Sequence, residues 1–128
     1  KTDAKFKDAP RGADNIPDAH NFVGAFGATA LLENGFVGSL RVRHFGDAAL
    51  IEDNSVRKDG TTLVNLGLSY PLAKFEFGLE VLNLFDSGGH DIEYFYESRL
   101  FNEVQSVEDF HFHPVEPREF RLRIKYVF

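Results

Sequence analysis

Apolar and polar side chains alternate along several segments of the chain, and the last segment shows this pattern most clearly. Between residues 118 and 128 every second position is apolar, at Phe120, Leu122, Ile124, Tyr126 and Phe128. The positions between them are charged, at Glu119, Arg121, Arg123 and Lys125. Successive side chains of a β-strand point to opposite faces, so this repeat of two predicts a strand with one apolar and one charged face.

The same repeat, together with turn-forming residues, predicts an all-β chain of five antiparallel strands without a helix. We place the strands at about residues 21–32, 36–46, 61–72, 74–86 and 118–128. Asn34-Gly35 supplies the positive φ angles that a tight turn between the first two strands requires. Residues 1–19, 47–60 and 87–117 lack a repeat and are predicted to be loops. The first strand has no clear facing, because glycine and alanine separate its phenylalanines.

Three features favour strands of a transmembrane barrel over strands of a soluble sheet. The connections alternate between short and long, like the periplasmic turns and extracellular loops of outer-membrane barrels. The strands are about as long as the roughly 9–11 residues of a tilted membrane crossing. The aromatic residues form two bands, with Phe36, Tyr70, Phe75, Tyr126 and Phe128 at the short-turn end and Phe45, Phe85 and Phe120 at the long-loop end. We therefore expect antiparallel up-and-down transmembrane β-barrel strands.

Five such strands would leave two open edges, because a sheet of this size cannot close on itself. We therefore expect residues 1–128 to be a segment of a larger barrel. One alternative is a soluble β-sheet ligand-binding module whose apolar face packs inward. Another is part of a smaller outer-membrane barrel or porin.

Composition narrows the possible chemistry. The chain has no Cys, which excludes disulfides, thiol catalysis and Cys zinc sites. Its net charge is −6 and its few basic residues are scattered, which argues against a nucleic-acid partner. A mean hydropathy of −0.25 is compatible with strands that alternate apolar and polar residues. No nucleophile–base arrangement or phosphate-binding loop is recognisable, so we expect no enzyme and no cofactor.

Several segments resemble the C-terminal β-barrel portion of TonB-dependent outer-membrane receptors. Residues 81–86, Val-Leu-Asn-Leu-Phe-Asp, look like the hydrophobic-Asn-Leu-Phe-Asp segment near the end of that family. Residues 118–128 resemble its last strand with a terminal aromatic residue, and residues 91–100 and 111–118 resemble a last extracellular loop. Phe45-Gly46 and residues 52–57 are similar to the preceding loop.

The resemblance implies the last five or so strands of a barrel of about 22 strands. It implies active uptake of a scarce nutrient of the iron-chelate, cobalamin or sugar type, and a place in the cell outer membrane of a Gram-negative bacterium. The implied partners are outer-membrane lipid, a small-molecule ligand and the barrel-assembly machinery, which would recognise Phe128, Tyr126 and Ile124. The N-terminal plug is absent from this sequence, so TonB would act only through that absent region.

The longest loop carries the candidate ligand contacts. Tyr94, Phe95 and Tyr96 are able to stack on a ligand that enters from outside. His111 and His113 share one side of an extended segment and are possible metal ligands. The simpler interpretation is that hydrogen bonds between histidine and carboxylate fix this loop, and we assign no metal site. The charged residues of the strands are expected to face the lumen and pair with one another.

Overall fold

The computed structural model describes Thr2 and residues 4–128, and all of the regular structure in that part of the chain is β-structure. It contains nine strands, two of which have only two residues. They are β1 (Val23–Leu31), β2 (Val37–Phe45), β3 (Ala48–Ala49), β4 (Arg57–Lys58), β5 (Thr61–Leu72), β6 (Phe75–Leu82), β7 (His90–Ser98), β8 (Val107–Pro114) and β9 (Glu119–Tyr126). The expected all-β antiparallel class is confirmed.

The chain divides into two compact units. The sheet unit comprises Gly24–His44, Thr62–Gly88 and Glu116–Phe128, and the loop unit comprises the chain up to Val23, Phe45–Thr61 and Gly89–Val115. A five-stranded sheet has the order β1-β2-β5-β6-β9. These are the five strands predicted from sequence, and they lie side by side in their sequence order. Among the described residues, no helix has the length and hydropathy needed to cross a bilayer.

The pairings of the sheet unit place the predicted apolar positions on one face. Leu68 pairs with Leu79, and Leu79 pairs with Leu122, so these three side chains lie in one row. The next positions along the same strands, such as Glu80 opposite Arg121, lie on the other face. Partners across a strand pair point to the same side of the sheet, so the alternation seen in sequence becomes two chemically different faces.

The turn between β1 and β2 defines the facing of the first strand, which the sequence left open. Leu32 N donates to Phe36 O at 2.9 Å, and Gly35 N donates to Leu32 O at 2.9 Å. Counting six residues back from Leu32 and six forward from Phe36 places Phe26 opposite Val42. Phe26 therefore lies on the apolar face, because the side chains of paired residues point to the same side.

Gly35 should not tolerate a side chain at this turn. Its φ is +83°, and an added Cβ would lie 2.7 Å from Pro71 Cγ. We expect Gly35→Ala to lower the free energy of unfolding by about 1 kcal/mol or more, since both the backbone and the neighbouring ring resist the change. Gly88→Ala is the matched control, because Gly88 has open space around it. Equal denaturant midpoints for the two variants would contradict this account.

The loop predicted at residues 47–60 is fixed by a small core of its own within the loop unit. Ala48, Ala49 and Leu50 are buried, and the buried ammonium of Lys58 forms an ion pair with Asp18. Backbone hydrogen bonds tie the N-terminal segment to this loop, with Asp18 N donating to Ala49 O at 2.8 Å. The absence of a repeat therefore did not mean an absence of fixed structure.

Three predictions about the connections and bands need correction. The strand predicted to reach residue 86 ends at Leu82, because Asn83 has a φ of +46° and leaves the extended conformation. The loop predicted at residues 87–117 contains the hairpin β7–β8. Phe45 packs its ring on His20, with centroids 5.6 Å apart, instead of joining the long-loop aromatic band. Phe45 also lies two residues after Arg43 on the same strand, so its side chain points to the charged face.

Candidate functional site

The hairpin β7–β8 carries all five residues that the sequence suggested as ligand contacts. Its strands pair antiparallel from Ile92 opposite His113 to Ser98 opposite Val107, after an irregularity between His90 and Ile92. Because side chains alternate along each strand, the register sorts the hairpin into two faces. Both faces are rich in aromatic rings, which is why no apolar–polar repeat was visible in the sequence.

The structure brings four of the five candidates together on one face. We call this the tyrosine face, and it consists of Ile92, Tyr94, Tyr96, Asp109, His111 and His113. Tyr94 pairs with His111 across the hairpin, and the His111 ring stacks on Tyr96 with centroids 4.0 Å apart and planes within 16°. Phe95 is separated from the others, because it lies on the opposite face against Phe110 at 5.0 Å.

Carboxylates and aromatic rings hold the histidines of the hairpin. His113 Nδ1 donates to Asp91 Oδ1 at 2.9 Å, and His90 Nδ1 donates to Glu93 Oε2 at 3.0 Å. The His90 ring also stacks on Phe112 at 3.8 Å. Among the described residues, no group of three His, Asp or Glu side chains is arranged to hold a metal ion. The histidines here fit a structural role through hydrogen bonds and stacking.

Titration of Asp91 should report the contact with His113. Partial desolvation raises the pKa of Asp91, but the hydrogen bond and charge of His113 outweigh it, so the pKa lies below the ordinary value of 3.8. A lowered folded-state pKa stabilises the hairpin above the ordinary carboxyl range, and this contribution disappears as the pH falls through the folded pKa. The effect on stability should be small, because both side chains are at least half exposed.

We expect His113→Ala to raise the pKa of Asp91, measured from the carboxyl carbon signal in an NMR titration. Asp53 provides an internal control. The backbone N–H and hydroxyl of Ser55 lower the pKa of Asp53, so this pKa should not respond to the change at His113. An Asp91 titration that is identical in the two proteins would mean that the contact does not form.

Asn83, in the segment that resembles the family motif, is the most densely bonded side chain of the sheet unit. It is 5% exposed, and its Nδ2 donates to Ser87 O and to Glu116 O at 3.0 Å each. Its Oδ1 accepts from Ser87 N at 2.9 Å, and its backbone N donates to Asn65 Oδ1 at 3.0 Å. Asn is also well suited to this position, because it tolerates the left-handed conformation better than most residues.

Asp86, at the end of the same segment, fixes the entry to the last strand. Its Oδ1 accepts from the backbone N of Arg118 at 2.9 Å, and the Arg118 guanidinium donates to Leu84 O at 3.4 Å. Together with Asn83, these bonds join the end of β6 to β5 and to the start of β9. The motif therefore has a clear local task, which is to hold three strands together where the hairpin departs and returns.

The proposed assembly signal lies along the apolar face of β9. Ile124 pairs with Phe77, and Tyr126 pairs with Phe75, with ring centroids 5.1 Å apart. Phe128 packs edge-on against Tyr126 at 5.1 Å and is otherwise fully exposed. Ile124, Tyr126 and Phe128 thus form one exposed apolar strip at the edge of the sheet.

Some of the charged side chains on the charged face of the sheet unit form ion pairs with one another. Arg121 donates to both oxygens of Glu119, at 2.7 and 3.0 Å, and Arg123 lies 3.9 Å from Glu76. A shallow groove on this face has small residues along its floor, among them Ser39, Gly67, Ser69 and Gly78. The predicted pairing of these charges is present in part. The face carries five cationic side chains against three carboxylates, Glu76, Glu80 and Glu119, so it is polar with an excess of positive charge.

Sequence reasoning missed the brace made by Asn83 and Asp86, because three of its partners, Asn65, Glu116 and Arg118, are far away in sequence. A polar residue that interrupts a strand pattern, as Asn83 does, was the available signal. No family model matches the chain, and the searches of curated proteins and of solved structures found no match either.

Proposed function

We propose that the sheet unit is part of the wall of an outer-membrane β-barrel, with its apolar face toward lipid and its charged face toward the lumen. The observation that carries this proposal is the apolar face of the sheet, whose side chains are largely exposed on the edge strands β1 and β9 and half-buried over much of the sheet between them. Phe26, Leu122 and Ile124 are 63%, 83% and 68% exposed, although each lies on that face. Contiguous apolar surface of this kind is unfavourable in water and favourable against lipid.

The two ends of the apolar face also suit the membrane boundaries. At the short-turn end, Lys74 Nζ lies 5.9 Å from the centre of the Tyr126 ring. At the long-loop end, the Arg118 guanidinium lies 6.0 Å from the Phe120 ring. Amphipathic and cationic side chains of this type favour the level of the lipid headgroups, where the ring meets hydrocarbon and the charge meets water.

The strand lengths agree with a crossing of the membrane. The five strands of the sheet have 9, 9, 12, 8 and 8 residues. A tilted strand needs about 9–11 residues to cross the hydrocarbon region, so β1, β2 and β5 reach that length and β6 and β9, with 8 residues each, fall just short of it. Strands of soluble sheets have a mode of about 5–6 residues.

Within this proposal the chain is the C-terminal part of a TonB-dependent receptor, which takes up a scarce nutrient such as an iron chelate, cobalamin or a sugar. The resemblance of residues 81–86 and 118–128 supports this class over a smaller barrel. The hairpin β7–β8 would then be an extracellular loop that contacts the small-molecule ligand. The strip Ile124, Tyr126 and Phe128 would be recognised by the barrel-assembly machinery, at an edge strand that presents unpaired main-chain groups.

Refolding in water and in detergent tests the membrane assignment. We expect circular dichroism to show β-structure, and light scattering a defined particle size, only when detergent or lipid is present. In plain buffer the apolar faces should meet one another and the chain should aggregate. A compact monomer in buffer that unfolds cooperatively would overturn the proposal in favour of a soluble ligand-binding module.

A further inference from the structure

We infer that the tyrosine face of the hairpin binds a cationic peptide through its guanidinium groups. This inference depends on the hairpin alone, and it does not require the sheet to lie in a membrane. Its basis is a pair of outward-facing rings on a strongly acidic hairpin. Aromatic ring faces and carboxylates both attract cations.

The rings of this face are arranged before any ligand arrives. Tyr94 and Tyr96 are 53% and 51% exposed. One face of Tyr96 is covered by His111, which restricts its rotation, and His113 is held by Asp91. Because the hairpin has already fixed these side chains, a ligand that lies on them loses less conformational entropy on binding.

The charge of the hairpin selects the sign of the partner. The segment between Gly89 and Val115 contains one arginine, Arg99, and no lysine. Its six carboxylates belong to Asp91, Glu93, Glu97, Glu103, Glu108 and Asp109. Asp109 lies directly opposite Tyr96 on the tyrosine face. A concentration of negative charge draws cations and repels anionic ligands. The faces of tyrosine rings also attract cations, so the two features favour the same class.

A cross-strand pair of like charges strengthens this argument. Glu97 pairs directly with Glu108, one step beyond Tyr96 and Asp109, so this pair lies on the opposite face of the hairpin together with Phe95. Like charges opposite one another destabilise a strand pair, and within the described part of the chain neither carboxylate forms an ion pair. This pair adds to the negative potential of the hairpin, although it does not contact a ligand on the tyrosine face.

Guanidinium fits this arrangement better than a metal ion or an ammonium group. The described residues offer no trio of His, Asp or Glu that is arranged to hold a metal. A guanidinium group is planar, so it can lie flat on a tyrosine ring while its edge donates two hydrogen bonds to a carboxylate. An ammonium group is a compact point charge and gains less from the flat ring.

The test is a calorimetric titration of the full chain, in whichever medium it folds, with a blocked Ala-Arg-Ala-Arg-Ala peptide. The control peptide has citrulline at both arginine positions, which keeps the shape and removes the charge. We expect the arginine peptide to bind at least roughly tenfold more tightly than the citrulline peptide at low salt. The difference should shrink when salt screens the exposed charges.

Protein variants locate the binding. Tyr94→Ala with Tyr96→Ala should weaken arginine-peptide binding by roughly threefold to tenfold, whereas replacing both by Phe should retain most of it because the ring faces remain. Asp109→Asn should weaken it as well. The amide NMR signals of the strands verify that each variant is folded.

Equal binding of the arginine and citrulline peptides, tight binding that ignores loss of both rings, or no binding of either peptide would overturn the inference. The outcome is separable from the membrane question. A soluble monomer that binds the arginine peptide contradicts the barrel proposal alone, and a detergent-dependent chain that does not bind it contradicts this inference alone.

Discussion

Leu122→Arg is expected to lower the free energy of unfolding in bilayers or detergent micelles by about 2–4 kcal/mol, the range for a cation on the lipid face near the midplane. Leu122 is near the middle of β9 and lies on the apolar face beside Leu79. In the proposed barrel its side chain contacts hydrocarbon, so an arginine there must desolvate its charge or distort the lipid around it. Denaturant titration of refolded protein measures the change.

Arg123→Leu is the matched control, since Arg123 follows Leu122 on the strand and points to the charged face. Its 3.9 Å contact with Glu76 is long and exposed, so losing it should cost less than about 1 kcal/mol. Leu122 is 83% exposed in the sheet. If water and not lipid covers the apolar face, its side chain is already hydrated and the substitution removes little buried apolar surface. A difference below about 0.5 kcal/mol for Leu122→Arg would therefore contradict a lipid-facing position.

Asn83→Ala is expected to lower the free energy of unfolding by about 2–3 kcal/mol, because alanine makes none of the side-chain hydrogen bonds of this residue. The change removes the bonds to Ser87 N, Ser87 O and Glu116 O. It also places alanine at a φ of +46°, a conformation that asparagine tolerates better. The largest local effect should be faster amide exchange at the start of β9, where the brace holds the strand.

Two further variants isolate the cause. Asn83→Asp keeps an acceptor for Ser87 N but buries a carboxylate oxygen against the carbonyls of Ser87 and Glu116, so at neutral pH it should be at least as destabilising as Asn83→Ala. Asn102→Ala controls for loss of an asparagine as such, because Asn102 is exposed in the turn at the tip of the hairpin. Equal stability of Asn83→Ala and Asn102→Ala would show that the brace is unimportant.

The strands of the sheet were predictable from sequence, because their order and facing follow from a local pattern. In β6 and β9 the alternation of apolar and charged residues matches the register of the two strands. Glu80 lies opposite Arg121, and Leu79 lies opposite Leu122. The Asn34-Gly35 turn was also evident, since its requirement for positive φ lies in the residues themselves. Antiparallel pairing of β1 with β2 and of β5 with β6 then follows from their short connections.

The hairpin and the brace were harder to predict, because non-local contacts determine them. The hairpin β7–β8 has aromatic side chains on both faces, such as Tyr94 and Phe95, and so gives no alternation of polarity. The two faces become distinct only when the register puts His111 beside Tyr96. Asn83 likewise looks like an ordinary polar residue until the chain brings Glu116 back to it.

Tryptophan fluorescence with brominated lipids tests the central claim, the lipid-facing position of the apolar face, most directly. The chain contains no Trp, so a single introduced residue is an unambiguous reporter. Leu122→Trp and Arg123→Trp differ by one position on β9 and should report the two faces of the sheet. The account predicts strong quenching by bromine on the acyl chains for Leu122→Trp and weak quenching for Arg123→Trp. Equal quenching at the two positions, or stronger quenching at position 123, would contradict it.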